Sequence, residues 1–250
     1  MLFKIKQWAA WAPGIETPEQ WLSWANNSAE GSLLQGDASP KLLAVPAMQR
    51  RRMSRLSKMA LEVAYACSGE NTTLRTVFAS RHGEIHRTTK ILNELFSGEG
   101  VSPTAFSLSV HNAASGLYSI ARNAPAPTTS VAAGQNTFMA GLFEALGFLK
   151  QAEQRVLLVF AEEPLPEAYH CFADESQNAY AFALWLERED GEGVTHSITP
   201  ISAQPKGPIN NPDKDFTTLM PQGLMWLSHF LQKTPHFNLS GKREQWRCEC

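Results

Sequence analysis

Apolar side chains recur along this chain at two different spacings. In residues 54–67 they fall three and four positions apart, which predicts a helix, and residues 137–151 predict a second one. Residues 155–161, "RVLLVFA", form a continuous apolar run, which is typical of a strand buried on both faces of a sheet. Strands that alternate with helices indicate a layered α/β domain whose sheet is covered on both sides.

The remaining pattern supplies further elements and then weakens. Strands are predicted at 2–12, 73–80, 128–133, 179–187 and 194–201, and helices at 17–27, 84–96 and 105–121. The last two strands flank the charged, glycine-containing turn "REDGEG", which favours a hairpin. Beyond residue 202 the pattern decays, so residues 203–250 are predicted to form an irregular extension, with a helix interrupted at Pro221 and a loose tail.

Composition narrows the class of protein. The 250 residues are 43% hydrophobic, enough for one large domain or two small ones, and the net charge of −2 argues against a nucleic-acid or membrane surface as partner. No stretch approaches the roughly 18 apolar residues of a membrane span, and the first residues lack the apolar run of a signal peptide. The four cysteines form no paired framework, so we expect a cytoplasmic protein.

Two histidine-containing motifs offer candidate chemistry. His82 and His86 lie four residues apart, a spacing that suits two metal ligands on one helix, but no third ligand is evident and we predict no metal site. Ser107 and His111 can face each other across one helical turn, as a nucleophile and its base do. No acid or oxyanion donor marks that pair, so helix packing is the favoured interpretation, and an independent acyltransferase or hydrolase stays the alternative.

A further candidate is the sharp turn in "VAAGQNTFMAG", residues 131–141. The predicted strand stops at Gly134 and a predicted helix follows. Several enzyme folds hold a nucleophile at such a strand-to-helix elbow, where the helix dipole stabilises negative charge. The residue at this elbow is Gln135. Because an amide is no nucleophile, the elbow is either a disarmed active site or an ordinary turn.

Four segments in order carry a resemblance to a known family. They are "RRMSRLSKMALEVA" from residue 51, "VFASRHGE" from residue 77, "SPTAFSLSVHNAASG" from residue 102 and "TTSVAAGQNTFMAGLFEAL" from residue 128. Over roughly residues 45–190 the chain resembles the N-terminal half of a β-ketoacyl synthase, a condensing enzyme of the thiolase fold. The resemblance implies one compact β-ketoacyl-synthase-like domain over residues 1–250, with a layered α-β-α architecture and a shortened C-terminal part.

The chain departs from the pattern of such synthases in its chemistry. By its distance from Asn112, Gln135 stands at the position of the family's catalytic cysteine. The synthases also carry two essential histidines in a C-terminal half, and here none of His196, His229 and His236 lies in a similar motif. Acyl transfer needs a thiolate and decarboxylation needs donors to the enolate, so the resemblance implies a subunit without activity of its own.

A glutamine at the elbow makes the chain similar to the chain-length factors of type II polyketide systems. The motifs "ASRHGE" and "SLSVHNAASG" are similar, more specifically, to the compact chain-length factors of aryl polyene pathways. The resemblance implies a heterodimer with a catalytic ketosynthase, substrates held on acyl carrier protein, and no cofactor. It also implies site residues: His82, Phe106, Asn112, Gln135 and Phe138 for the channel or interface, and Arg50, Arg51 and Arg52 for carrier or partner contact. For this basic cluster, an ordinary solvated face is the alternative.

Overall fold

The computed structural model describes residues 1–27, 36–151, 153–190, 193–201, 220–241 and 244–249. Its strands are β1 (Leu2–Trp11), β2 (Arg75–Ala79), β3 (Thr128–Val131), β4 (Arg155–Glu162), β5 (Tyr180–Glu187), β6 (Thr195–Ile201), β7 (His236–Ser240) and β8 (Gln245–Glu249). Its helices are α1 (Pro18–Asn27), α2 (Ala47–Arg50), α3 (Arg55–Ser68), α4 (Ile85–Phe96), α5 (Pro103–Ser107), α6 (Ala113–Arg122), α7 (Thr137–Gln151) and α8 (Gln222–Leu231).

The strands form one mixed sheet in the order β3-β2-β4-β5-β1-β6-β8-β7. Strand β2 runs parallel to both β3 and β4, and every later pair in this order is antiparallel. Parallel neighbours need a crossover connection, which the helices between β2, β3 and β4 provide. The carboxyl ends of these three strands therefore meet at one edge of the sheet, where the segments after them come together.

Helices cover both faces of the sheet, which confirms the predicted layered α/β architecture. Helices α1, α7 and α8 bury one face and α3 and α6 bury the other. Strand β4 divides its side chains between the two layers, since Leu158 contributes to the first core and Leu157 to the second. From Val156 onward β4 is fully buried, as its continuous apolar sequence predicted. No helix in the described part of the chain is long and apolar enough to cross a membrane.

Helix α7 sits unusually close to strand β2. A Cβ added at Gly141 would lie 2.7 Å from the Cβ of Ala79, so only a glycine allows this approach. The opposite layer begins with α3, where the hydroxyl of Ser54 accepts a hydrogen bond from the N–H of Ser57 and caps the helix. Helices α3 and α7 match their predicted positions, and each begins beside the edge of the sheet where the parallel strands end.

The predicted hairpin of the strands at 179–187 and 194–201 is wrong. Strand β1 lies between β5 and β6 and pairs with both, so β5 and β6 are not hydrogen-bonded to each other. The turn between them does not reveal this insertion, because the pairing partner comes from the other end of the sequence.

The predicted helix over residues 105–121 is also wrong, because it divides into α5 and α6. The hydroxyl of Ser107 donates to the carbonyl of Thr104, and the hydroxyl of Ser109 donates to the carbonyl of Phe106. Such local bonds compete with helical ones and favour a turn. The intervening residues are then free to pack His111 against the segment after β2.

The prediction of an irregular extension is wrong for the described residues beyond 219. Helix α8 begins directly after Pro221, which fits the position before a helix, and its apolar face packs into the core. Strands β7 and β8 extend the sheet, with Trp246 and Cys248 buried and Arg247 exposed between them. This five-residue alternation is too short to stand out in the sequence. Residues 203–219 lie outside the described residues.

Candidate functional site

The elbow that follows β3 has the predicted strand–turn–helix geometry. Gly134 has a φ of 59° and opens a 3-10 turn, Gly134–Asn136, from which α7 continues. The hydroxyl of Thr137 donates to the carbonyl of Gly134 at 2.6 Å and accepts from the N–H of Ala133 at 2.9 Å. These bonds fix the turn, while residues 132–134 are exposed to solvent. The elbow is therefore a rigid, accessible feature at the start of a helix.

Gln135 occupies the elbow with its side chain half-buried. Its Nε2 donates a hydrogen bond to the carbonyl oxygen of Asp174 at 3.2 Å, so the amide is already engaged by the protein. The described cysteines lie elsewhere. Cys67 is buried on α3, where burial raises its thiol pKa to about 12, and Cys248 is buried on β8. Cys171 is exposed in the short 3-10 helix Glu167–Phe172. The side chain that the elbow presents is thus an amide donor and acceptor.

Arg81, directly after β2, gathers carboxylates beside the elbow. Its guanidinium forms ion pairs with Asp174 at 2.6 Å and with Glu175 at 3.1 Å. Its backbone N–H donates to Oε1 of Glu162, the last residue of β4, at 2.6 Å. Arg81, Glu162, Glu175 and Gln135 all line one narrow cavity at this edge of the sheet.

Burial governs the protonation of this group. Glu162 is fully enclosed, and its burial raises the pKa of the carboxyl well above its usual range, aided by the nearby charge of Glu175. The pKa of Glu175 is also raised by burial, which the charge of Arg81 opposes. For Arg81 burial disfavours the charged form, but the two carboxylates outweigh it and its pKa is raised. The cluster therefore places one cation next to two carboxyl groups, those of Glu162 and Glu175, whose charged form burial disfavours.

His82, the predicted channel residue, lies next to Arg81 and is half-buried. Burial lowers the pKa of its imidazole to about 4, and the positive charge of Arg81 lowers it further, against the charge of Asp174. At neutral pH the ring is uncharged. An uncharged ring can border an apolar ligand without the cost of burying a cation.

The segment after β2 is locked to the turn before α6. The ring nitrogen Nε2 of His111 lies 2.7 Å from the carbonyl oxygen of Ser80. Gly83 has a φ of 53°, and its N–H donates to the hydroxyl of Ser80 at 3.0 Å. Asn112, the predicted interface residue, is exposed next to His111, and its carbonyl accepts from the N–H of Gly116. Two of the four sequence motifs are thereby joined in space.

The structure separates the residues of the alternative catalytic pair. The hydroxyl of Ser107 is bonded to the carbonyl of Thr104, whereas His111 points to Ser80. Their predicted juxtaposition across a helical turn is wrong, since no helix connects them. His86 is bonded to the carbonyl of Pro164, and no cluster of three or more potential metal ligands occurs among the described residues.

The two phenylalanines predicted to line a channel have opposite environments. Phe106 on α5 is 63% exposed. Phe138 is 1% exposed and packs against Phe160, Phe182 and Trp226 in the core between α7 and the sheet. The side chain of Phe138 therefore faces the chain's own sheet, where it also lines the narrow cavity next to Gln135.

The basic cluster, residues 50–52, lies just before the start of α3. Arg51 and Arg52 are exposed, while Arg50 donates to the carbonyl of Lys41 at 2.7 Å. Arg87 donates to the carbonyl of Arg52 at 3.0 Å and so ties the cluster to α4. Below it, the buried carboxylate of Glu84 accepts hydrogen bonds from Ser54 and Ser57, both at 2.7 Å. Hydrogen bonds from neighbouring segments therefore hold the backbone around the basic cluster in place.

Two of the three histidines beyond residue 190 have aromatic packing partners. His196 stacks on Phe3 with ring centres 5.6 Å apart, and His229 stacks on Phe237 at 4.3 Å. Burial lowers the pKa of both imidazoles. His236 is exposed at the start of β7. These side chains belong to the far part of the sheet and its covering helix.

One sheet edge near the elbow is open. Strand β3 is the outermost of the described strands on its side and pairs only with β2, and all four of its residues are half-buried. Helix α6 beside it exposes Asn112, Gly116 and Ile120, at intervals of four along one face, and Ile120 is 72% exposed. An open strand next to an exposed helix face that carries a large apolar side chain, here Ile120, is a typical site for association with another chain.

Sequence reasoning missed Arg81, Glu162, Asp174 and Glu175. Charged residues directly after two buried strands, in "ASRHGE" and "FAEE", were the available signal, because parallel strands end at the same edge. Asp174 and Glu175 gave no such signal, since they follow an irregular segment.

The sequence matches the family model "Beta-ketoacyl synthase, N-terminal domain" over residues 21–249. A solved structure of a ketosynthase in complex with its chain length factor, from Xenorhabdus doucetiae, contains a chain with 32% identity, 100% coverage of both chains and a TM-score of 0.85. No curated protein sequence matches this chain.

More distant structures share the fold. A β-ketoacyl synthase from Burkholderia phymatum has 14% identity and a TM-score of 0.56, over 94% of this chain and 71% of that one. A type II polyketide acyl-carrier protein in complex with its ketosynthase bound to the hexaketide has 13% identity and a TM-score of 0.58, over 75% of this chain and 63% of that one. The predicted thiolase-like layered fold is confirmed.

Proposed function

The chain belongs to the β-ketoacyl synthase family, and on that premise we propose that it is the non-catalytic chain-length-factor partner of a ketosynthase. The observation that carries the proposal is the elbow. Gln135, which the motif order aligns with the family's nucleophilic cysteine, presents an amide that is bonded to Asp174. An amide forms no thioester, so in this proposal the partner subunit supplies the cysteine and the histidines.

In the proposed reaction the partner condenses acyl groups held on acyl carrier protein, with loss of carbon dioxide. This subunit completes the heterodimer and bounds the cavity that receives the growing polyene. The likeness to a chain in a solved complex of a ketosynthase and its chain length factor supports this assignment, since it extends over the full length of both chains.

The open edge at β3 supports association with the partner. The unpaired N–H and C=O groups of an edge strand can bond to a strand of another chain, and the exposed stripe of α6 adds apolar contact. Stable interfaces of permanent complexes bury more than about 2,000 Å² of mostly apolar surface. In this proposal the exposed elbow residues 132–134 become covered when the heterodimer forms.

Phe106 and His82 are the proposed residues of the channel wall. Phe106 is exposed on α5. His82 is uncharged and follows Arg81, which forms an ion pair with the Asp174 to which Gln135 is hydrogen-bonded. A bulky side chain at the end of a rigid channel limits product length by sterics, since forcing extra methylenes into a packed wall costs about 1–3 kcal/mol. Asn112 and Gln135 lie at the interface in this proposal, and Phe138 supports the fold from the core.

The exposed guanidinium groups of Arg51 and Arg52 are the proposed contact for an acidic carrier or for the partner. They stand on the turn that Arg87 and α3 hold in place. Two exposed cations on a fixed turn attract an acidic surface, and this attraction weakens as salt is added.

Co-purification tests the proposed complex. A candidate partner ketosynthase is co-expressed with the tagged wild-type chain and with two variants. Ile120→Arg places a charge on the exposed stripe of α6 and should abolish co-purification without unfolding the chain. Val194→Arg is the matched control, because Val194 is 65% exposed beside β6, and four strands separate β6 from the edge strand β3. Equal recovery of the partner with wild type and Ile120→Arg would exclude this face.

A further inference from the structure

We propose that Arg81 is a positioning residue that holds residues 173–178, here named the strap, against Gln135. The inference rests on the proposed function for its effect on product length, but its structural part concerns this chain alone. The strap joins the 3-10 helix Glu167–Phe172 to β5 and has no regular hydrogen-bonding pattern of its own.

Asp174 links the two ends of this arrangement. Its carboxylate pairs with the guanidinium of Arg81 at 2.6 Å, and its carbonyl oxygen accepts the hydrogen bond from Nε2 of Gln135 at 3.2 Å. Glu175 adds a second ion pair to the same guanidinium at 3.1 Å. The position of the elbow's amide thus depends on a residue that Arg81 fixes.

The rest of the strap is anchored independently of Arg81. Ser176 and Asn178 are buried, and within the strap the amide of Asn178 donates to the hydroxyl of Ser176 at 2.8 Å. The side-chain oxygen of Gln177 accepts from the N–H of Leu165 at 2.8 Å. Release of Arg81 should therefore free the first part of the strap, around Asp174 and Glu175, without unfolding the remainder.

Electrostatics explains why one cation can control this segment. The side chain of Arg81 is only 12% exposed, so its ion pairs are weakly screened. Without it, adjacent carboxylates on the strap would face each other near the enclosed Glu162 and have no counter-charge. Loss of both ion pairs should let the strap move outward and free the amide of Gln135, which would widen the cavity that Gln135 and Glu175 line.

Lysine is an informative replacement. An ammonium keeps the positive charge but lacks the planar fork that engages two carboxylates at once. Arg81→Lys should therefore retain part of the effect, and Arg81→Met should lose it. Asp174→Asn is a milder change, because it removes one of the two ion pairs of Arg81 and keeps the backbone carbonyl that Gln135 uses.

Hydrogen–deuterium exchange of this chain, measured with and without the ketosynthase, tests the structural part. In Arg81→Met, peptides covering residues 172–175 and 132–137 should exchange at least tenfold faster, with Arg81→Lys and Asp174→Asn intermediate. Arg155→Met is the control, because it removes an exposed ion pair with Glu187 at the other end of β4. Unchanged exchange in all three site variants overturns the proposal, as does a uniform increase over the whole chain.

Product analysis tests the positioning role. With the ketosynthase present, Arg81→Met should shift or broaden the lengths of carrier-bound products while the complex remains intact, and Arg81→Lys should restore part of the wild-type distribution. Local loosening with an unchanged distribution overturns the role. If wild type forms no complex with the ketosynthase, the proposed function fails, and the exchange measurement on the chain alone still decides whether Arg81 holds the strap.

Discussion

The ring of His111 fills the space beside Gly83 that a side chain there would need. A Cβ at Gly83 would lie 2.8 Å from Cδ2 of His111, and the φ of 53° favours glycine in addition. Gly83→Ala should therefore destabilise the fold by about 2–3 kcal/mol, from backbone strain and overpacking together. Chemical denaturation of the variant measures this cost.

The same contact predicts that the two residues are coupled. In a His111→Ala background the ring is gone, so Gly83→Ala should cost about 1 kcal/mol less than it does alone. A double-mutant cycle tests this. Strictly additive costs would mean that the ring contact does not matter.

Two glycines of α7 should respond to alanine with opposite signs. Gly141→Ala places its Cβ 2.7 Å from that of Ala79 and should destabilise by about 1–3 kcal/mol. Gly147→Ala meets no atom within 4 Å and should stabilise by about 0.5–1 kcal/mol, because alanine favours the helix. Thermal unfolding of both variants compares them directly. An unchanged or higher stability of Gly141→Ala would contradict the close packing of α7 on β2.

Phe138 and Phe106 should separate stability from product length. Phe138→Ala empties a site among aromatic rings and should cost about 3–5 kcal/mol. Phe106→Ala removes a ring that is 63% exposed and should change stability by less than about 0.5 kcal/mol. With the ketosynthase present, only Phe106→Ala should lengthen or broaden the products. Mass spectrometry of carrier-bound chains tests this, and unchanged lengths would remove Phe106 from the channel wall.

His82 should make the fold sensitive to acid. Its pKa is about 4 in the folded chain and about 6.5 when unfolded, so between these values only the unfolded state takes up the proton. Stability is fully present above pH 6.5 and falls as the pH drops toward 4. His82→Asn should reduce this slope in urea denaturation at several pH values.

Glu162 provides the control of opposite sign. Its folded pKa lies well above the ordinary value near 4.5, so as the pH rises above 4.5 only the unfolded state loses its proton, and stability declines. Glu162→Gln should remove that decline and leave the acid sensitivity in place. If both substitutions changed the same part of the pH profile, the assignment of the two groups would be wrong.

The sequence predicted the parts of the fold that depend on local pattern. The apolar runs of α3, α7 and β4 identify these elements because each buries one or both faces along its whole length. The insertion of β1 between β5 and β6 was missed, since no local signal specifies a partner from the other end of the chain. Strand β8 was missed because its alternation covers only five residues.

At the site, the sequence identified Gln135 at the elbow but not the charged residues that surround it. The glycine before Gln135 and the apolar helix after it predict the elbow. The ion pairs of Arg81 with Asp174 and Glu175 join positions far apart in the sequence, and Asp174 and Glu175 follow an irregular segment without periodicity. The division of residues 105–121 was missed because serine hydroxyls, which carry no apolar pattern, turn the backbone there.

Reconstitution of condensation tests the central claim most directly. This chain, the ketosynthase and an equimolar mixture are each incubated with acyl and malonyl carrier proteins, and the products and the mass of each subunit are recorded. We expect product only from the mixture, an acyl adduct only on the ketosynthase, and Gln135→Ala to retain most of the activity. Turnover or an acyl adduct on this chain alone, or a loss of a thousandfold or more in Gln135→Ala, would contradict a non-catalytic partner.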